Sequence, residues 1–148
     1  DYIFHVSGTG STQAGLVCGQ LLAGRKKQRI VGLSNARTKE RGRPVVIDSV
    51  KAYLKEHPVD WAGDFGIEEA TVFDDTWRLQ GYGTYNREIL KTIDRALATY
   101  GIPMDPVYVG KGFWAMGEYV KAHGLTGKNI LFLHTGGTPL FFEEYNAV

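Results

Sequence analysis

A chain of 148 residues is the size of one ordinary domain and can bury a real core. Hydrophobic content of 43% and charged content of 22% are those of a soluble globular protein. A net charge of +1 gives no electrostatic case for nucleic acid or an anionic membrane, and no apolar run approaches the ~20 residues of a membrane span.

The chain begins at Asp1, without a Met or a signal peptide, and enters an apolar, β-prone run (Tyr2, Ile3, Phe4, Val6). That run leads into Ser7-Gly8-Thr9-Gly10-Ser11-Thr12, and a small-residue helical stretch follows from Gln13 to Leu22. Strand, glycine-hydroxyl turn and helix N-terminus make a phosphate cradle. Turn amides and the positive end of the helix dipole face the anion, and hydroxyls add donors. The plainer alternative is a strand-to-helix turn capped by Ser11 or Thr12. Cys18, the one cysteine, falls among apolar and small residues and reads as a packed thiol. It excludes an internal disulfide and fits a reducing compartment, the cytoplasm.

The cations Arg25, Lys26, Lys27 and Arg29 suit the end of the first helix, where solvated positive charge complements the dipole. Arg29–Ser34 reads as a short buried strand, and 35–43 as a polar, basic surface loop. Pro44 is expected in the first turn of a second helix, with Val46, Ile47, Val50, Tyr53 and Leu54 at helical spacing. His57-Pro58 closes it. A mixed stretch precedes another strand at 70–73, a turn at 74–76 and an edge extension at Trp77-Arg78-Leu79. Gly81-Tyr82-Gly83 is a flexible loop presenting one aromatic, and Asn86 caps an amphipathic helix that Gly101 ends.

Residues 105–112 read as an extended piece breaking at glycines, before a helix bearing Phe113, Trp114, Met116, Gly117 and Val120 on one broad face. A strongly apolar strand at 129–134 ends in Thr135-Gly136-Gly137-Thr138-Pro139, a second hydroxyl-glycine turn. The order β-α-β-α-β-α-α-β implies an α/β fold, a mostly parallel sheet flanked by helices. Such sheets bind ligands beyond the carboxyl ends of their strands, and two of these strands end in Gly/Thr/Ser turns. The 19 glycines, well above the ~7% average, point the same way, to sites lined by backbone.

A dinucleotide-binding reading of Gly8-Thr9-Gly10 lacks two requirements. Position 13 is Gln where a third glycine belongs, and the second strand ends in Ser34-Asn35-Ala36-Arg37 in place of an acid, a pattern suited only to NADP. NADP or another nucleotide phosphate stays as an alternative client.

Four motifs occur in order along nearly the whole chain. They are Thr9-Gly10-Ser11-Thr12-Gln13-Ala14-Gly15-Leu16, Gly81-Tyr82-Gly83, Asp105-Pro106-Val107-Tyr108-x-Gly110-Lys111 and His134-Thr135-Gly136-Gly137-x-Pro139. Together they resemble the C-terminal half of the ACC deaminase / D-cysteine desulfhydrase family, pyridoxal-phosphate enzymes of the tryptophan synthase β type (fold type II). The resemblance implies that Thr9, Gly10, Ser11 and Thr12 hold the cofactor phosphate. It implies that Tyr82 and Tyr108 are the two active-site tyrosines, although packing is the ordinary role of a tyrosine. Lys111 reads as a helix-start or structural residue and His134 as a strand-end structural histidine. No metal is implied.

Two positions bear on the branch. Thr135 matches the desulfhydrase-like members and would put a neutral hydroxyl on the pyridine nitrogen, a weaker electron sink than a carboxylate supports. Val109 fits neither branch. Family members are about twice this length, and their Schiff-base lysine and substrate-carboxylate loop lie in the N-terminal half. The chain therefore reads as a C-terminal fragment of a homodimeric enzyme, inactive alone. The parent would act on a small amino acid by α,β-elimination, giving an α-keto acid and ammonia. ACC deamination proper is the alternative.

Overall fold

In a computed structural model, residues 1–25, 27–57 and 66–144 are described. The element order is β1 (Tyr2–Ser7), α1 (Ser11–Leu22), β2 (Arg29–Ser34), α2 (Lys39–Glu56), α3 (Ile67–Ala70), β3 (Val72–Asp74), α4 (Arg87–Tyr100), α5 (Val109–Ala122), β4 (Ile130–Phe132) and α6 (Thr138–Glu144). The four strands form one sheet in the order β3-β2-β1-β4, every pair parallel. The expected parallel α/β architecture is what these residues adopt.

Strand alternation sorts the side chains onto two faces. Phe4, Val31 and Leu33 pack with Ala115 and Tyr119 of α5. On the opposite face Phe73 joins Val17 and Leu21 of α1 and Val46 and Val50 of α2. Helix α4 contributes Ile89, Ile93 and Ala96 to a third cluster, shared with Met104, Val109 and Phe141. The thiol of Cys18 is buried, as its helix position implied, and burial pushes its pKa up.

The strand order fixes where a ligand can sit. The chain runs outward from β1 to β2 to β3, then returns to place β4 on the other side of β1. That reversal is a topological switch point, and the crevice beyond the carboxyl ends of β1 and β4 is its binding position. Both hydroxyl-glycine turns leave the sheet there. Residues 8–10 follow β1, and 133–137 follow β4, whose pairing extends one step through Leu133 N–H to the Phe4 carbonyl at 2.8 Å.

Several local expectations need correction. Helix α2 begins at Lys39, so residues 39–43 are helix rather than loop and Pro44 lies in the helix interior. Tertiary contacts supply the extra turn. Asp75 Oδ2 accepts from the Lys39 amide at 2.8 Å, and Gly42 lies so close to Phe73 that a Cβ would come within 2.2 Å of its ring. Arg43 pairs with Glu68 at 3.0 Å and donates to the Thr71 carbonyl, so it is not a solvated loop cation.

Helix α1 stops at Leu22, leaving Arg25 and Lys27 in the turn after it and Arg29 at the start of β2; Lys26 lies outside the described residues. The third strand is shifted to Val72–Asp74 because Ala70 closes α3. Trp77 extends no edge. Its ring turns inward against Trp114 at 6.1 Å and 87°. Asn86 does cap α4, accepting from the Ile89 amide, and Gly101 ends the helix at φ +68°. His57 closes α2, while Pro58 and the mixed stretch to residue 65 lie outside the described residues.

Gln13 ties the first turn of α1 to the sheet. It is fully buried, accepts from Ser7 Oγ at 2.9 Å and donates to the Val72 carbonyl at 2.7 Å. Its amide lies flat over Gly32, where a Cβ would fall 2.2 Å from Oε1. Gly32→Ala must therefore displace a doubly bonded buried amide. We expect it to cost about 1–3 kcal/mol by denaturant unfolding.

Candidate active site

The loop after β1 is shaped by glycine. Gly10 takes φ +101°, and a Cβ there would lie 3.0 Å from Val46 Cγ2, so only glycine lets the chain turn into α1. Gly10 is itself the N-cap of α1 and no side chain caps the helix. The plainer expectation, a cap by Ser11 or Thr12, does not hold. The leading amides of α1 have no intrahelical acceptor. Thr9, Ser11 and Thr12 are all exposed, with the Thr9 and Ser11 hydroxyls 3.4 Å apart. An uncapped helix end fronted by exposed hydroxyls, with glycine at its N-cap, fits a phosphate group.

The loop after β2 lies beside it. Ser34 Oγ donates to the Arg37 carbonyl at 2.6 Å and accepts from the Ala36 amide, folding 34–37 into a tight turn. Arg37 then reaches back, donating to the Thr9 carbonyl at 3.3 Å. Asn35 is buried at 1% exposure and donates through Nδ2 to the Val107 carbonyl at 3.3 Å. Its Oδ1 is turned toward Gly8, where a Cβ would sit 3.3 Å away.

The two tyrosines named from sequence meet. Tyr82 and Tyr108 hydroxyls are 2.8 Å apart, and their rings cross edge-to-face at 5.7 Å and 70°. Tyr82 is 64% exposed, which leaves its phenol open to a ligand. Tyr108 is held from below, as the N-cap of α5. The carboxylate of Asp105, fully buried, accepts from the amides of Val107 (2.9 Å), Tyr108 (2.5 Å) and Val109 (2.9 Å). The segment expected to be extended is therefore a capped turn, with the helix starting at Val109.

The turn after β4 packs onto the same carboxylate. Gly137, at φ +83°, lies so close that a Cβ would fall 2.2 Å from Asp105 Oδ1. His134 donates through Nε2 to the Pro103 carbonyl at 3.1 Å, the structural role its position suggested. Thr135, between His134 and these glycines, is exposed at the switch-point edge.

Lys111 was legible only as a structural residue, and the structure gives it a specific place. It is 1% exposed, and its Nζ donates to the carbonyls of Gly81 (2.8 Å) and Asn35 (3.2 Å) and to Thr84 Oγ1 (3.5 Å). Burial, with a smaller contribution from the Arg78 guanidinium, lowers its pKa to about 8. Of the residues expected at the site, the structure brings Tyr82 to Tyr108 and Thr9 to Ser11, and it sets Thr135 beside the turn that covers Asp105. Asn35, Asp105 and Lys111 join these groups, and they were missed as site-building residues. Asp105 carried a usable signal, an acid four residues ahead of a helix start. Asn35 and Lys111 carried none, because their partners are 72 and 76 residues away in sequence.

No protein-family model matches the chain. It is 35% identical, over its whole length, to a 1-aminocyclopropane-1-carboxylate (ACC) deaminase of Burkholderia multivorans, covering 43% of that protein. It is 32% identical to an ACC deaminase of Ralstonia nicotianae over 94% of this chain and 40% of that protein. A solved ACC deaminase homologue superposes with a TM-score of 0.81 at 27% identity, over 99% of this chain and 42% of that one. The chain is a relative of the ACC deaminases. It spans about two-fifths of the length of the curated relatives it matches. The fold it shares with the ACC deaminase homologue is the fold type II architecture expected from its motifs. Among the described residues of this ACC deaminase relative, no helix is long and apolar enough to cross a membrane.

The buried lysine makes stability depend on pH. Unfolded, Lys111 keeps its proton up to its ordinary value near 10.5; folded, it gives the proton up near 8. Between these values the unfolded chain binds more protons, so stability rises with pH. We expect denaturant unfolding to show a gain of up to about 1.4 kcal/mol per pH unit across that window, which Lys111→Met removes.

Proposed function

We propose that this chain is the C-terminal part of a pyridoxal-phosphate-dependent deaminase or lyase acting on a small amino acid. The reading is supported by an uncapped α1 N-terminus and a glycine-threonine turn that leave the sheet at one switch point, with a hydroxyl-bonded tyrosine pair linked to the two loops through Asn35 and Asp105. Relatives named ACC deaminase, matched over 94–100% of this chain, support the same reading.

In this reading the amides of Ser11 and Thr12, with the hydroxyls of Thr9, Ser11 and Thr12, hold the cofactor phosphate. Gly10 keeps the backbone close to it. Thr135 offers a neutral hydroxyl to the pyridine nitrogen. Pyridoxal phosphate, when bound, supplies the electron sink for the pair released at the substrate α-carbon.

Tyr82 and Tyr108 handle protons. Hydroxyls 2.8 Å apart share one hydrogen bond, so the two phenols form a short proton relay whose exposed end is Tyr82. Asp105 fixes Tyr108 by holding the amides around it, and the edge-to-face contact fixes Tyr82 against Tyr108. The N-terminal remainder of the protein supplies the lysine that anchors the cofactor and the grip on the substrate carboxylate. The 148 residues alone are then inactive, and the whole enzyme is a cytoplasmic homodimer.

A neutral Thr135 favours α,β-elimination of a β-leaving group, as in D-cysteine desulfhydration, with the leaving group (sulfide for D-cysteine), an α-keto acid and ammonia as products. The names of the relatives favour ACC itself, and activity on both substrates by the whole protein decides between them. Cofactor binding tests the site. The whole protein mixed with pyridoxal 5′-phosphate should develop the visible absorption of a lysine-bound cofactor. Ser11→Ala combined with Thr12→Val should weaken binding by about tenfold or more, since lost hydrogen bonds to a charged group cost about 1.5–3 kcal/mol. Thr135→Glu should shift the visible band by holding the ring nitrogen protonated. No cofactor band in the unaltered protein overturns the reading.

A further inference from the structure

We propose that Lys111 is a positioning residue for the tyrosine pair, a buried ammonium that sets the Tyr82 loop against Tyr108 and against the end of β2. Three observations carry it. Lys111 spends its donors on Gly81, Asn35 and Thr84, and two of these flank Tyr82 closely in sequence. Gly81 has φ +118° and Gly83 has φ +74°, backbone conformations that glycine admits on both sides of Tyr82, and the Gly81 carbonyl is held both by Thr84 Oγ1 within the loop at 2.7 Å and by Lys111 Nζ from outside it at 2.8 Å. Lys111 also lies in the first turn of α5, three residues after Tyr108, the N-cap of that helix. One side chain thus joins the backbone that carries the first tyrosine to the helix that carries the second.

The remaining acceptor extends the link toward the cofactor cradle. Lys111 holds the Asn35 carbonyl, while the Asn35 side chain donates to Val107 and lies against Gly8. The ammonium therefore braces the turn after β2, which backs the loop after β1. Among the described residues no carboxylate pairs with it, and its partners are neutral oxygens. A buried ammonium satisfied by loop carbonyls fixes distances between loops, where a salt bridge would fix only a partner side chain. Lys111 is buried and bonds the backbone beside Tyr82, so its effect runs through Tyr82.

The proposal rests on the pyridoxal-phosphate reading for its catalytic readout, and the two fail differently. The experiment is a double-mutant cycle in the whole protein, Lys111→Met and Tyr82→Phe singly and together, read by kcat and KM. Lys111→Met should lower kcat by about tenfold or more, leave the visible cofactor band intact, and add little once Tyr82 is Phe.

Independent losses that multiply in the double variant, with the cofactor band intact, overturn the positioning role. An absent band in the unaltered protein overturns the cofactor reading instead. Nuclear magnetic resonance of the unaltered protein labelled with 15N-lysine covers the case in which Lys111→Met does not fold. It should show one solvent-protected ammonium whose side-chain protons give cross-peaks to the Thr84 methyl. Absence of a protected ammonium overturns the proposal.

Discussion

The rest of the structure depends on the parallel pairing of β1 between β2 and β4. Parallel strands cannot be joined by tight turns, so each must be followed by a crossover, and every crossover leaves from the same edge. Residues that follow β1, β2 and β4 are thereby delivered to one rim although they lie more than a hundred positions apart. Placing β4 on the far side of β1 opens the switch point between their two outgoing loops. The hydrogen-bonded ladder, more than any single side chain, decides that Thr9–Thr12 and Thr135–Gly137 belong to one place.

Around that rim, buried polar groups are held by other polar groups, with Asn35 Oδ1 left without a hydrogen-bond partner among the described residues. Asp105 satisfies three amides and is covered by Gly137. Gln13 bridges Ser7 and Val72 over Gly32, and Lys111 ties two loops to α5 through neutral oxygens. Such groups are costly to bury and stay only where the hydrogen bonding is nearly complete. The exposed groups are of another kind. Tyr82 and the hydroxyls of Thr9, Ser11 and Thr12 face outward on this buried scaffold, which is the division expected of a site that positions ligand groups from a rigid frame.

Much of this was legible in the sequence, for reasons that can be traced. The β-α alternation showed in hydrophobic periodicity, and glycine-hydroxyl turns at strand ends marked the rim. The Tyr82–Tyr108 pair was readable only through its flanking motifs, because a tyrosine alone says nothing about facing a ligand. The errors share one cause. Pro44 suggested a helix start, but packing of Gly42 on Phe73 and the Asp75 contact to Lys39 carried the helix back to residue 39. Trp77 read as strand and turned inward because Trp114 offered it a partner. Local propensity lost in each case to contacts distant in sequence. Lys111 and Asn35 belong with them, since their significance lies wholly in which loops they join.

The central claim is that the α1 N-terminus holds the phosphate of pyridoxal phosphate. A crystal structure of the whole protein grown with pyridoxal 5′-phosphate tests it most directly. The phosphate is expected within hydrogen-bonding distance, about 2.7–3.2 Å, of the Ser11 and Thr12 amides, with the pyridine ring directed toward Thr135. A cofactor bound elsewhere, or a ring turned away from Thr135 and the tyrosine pair, would contradict it.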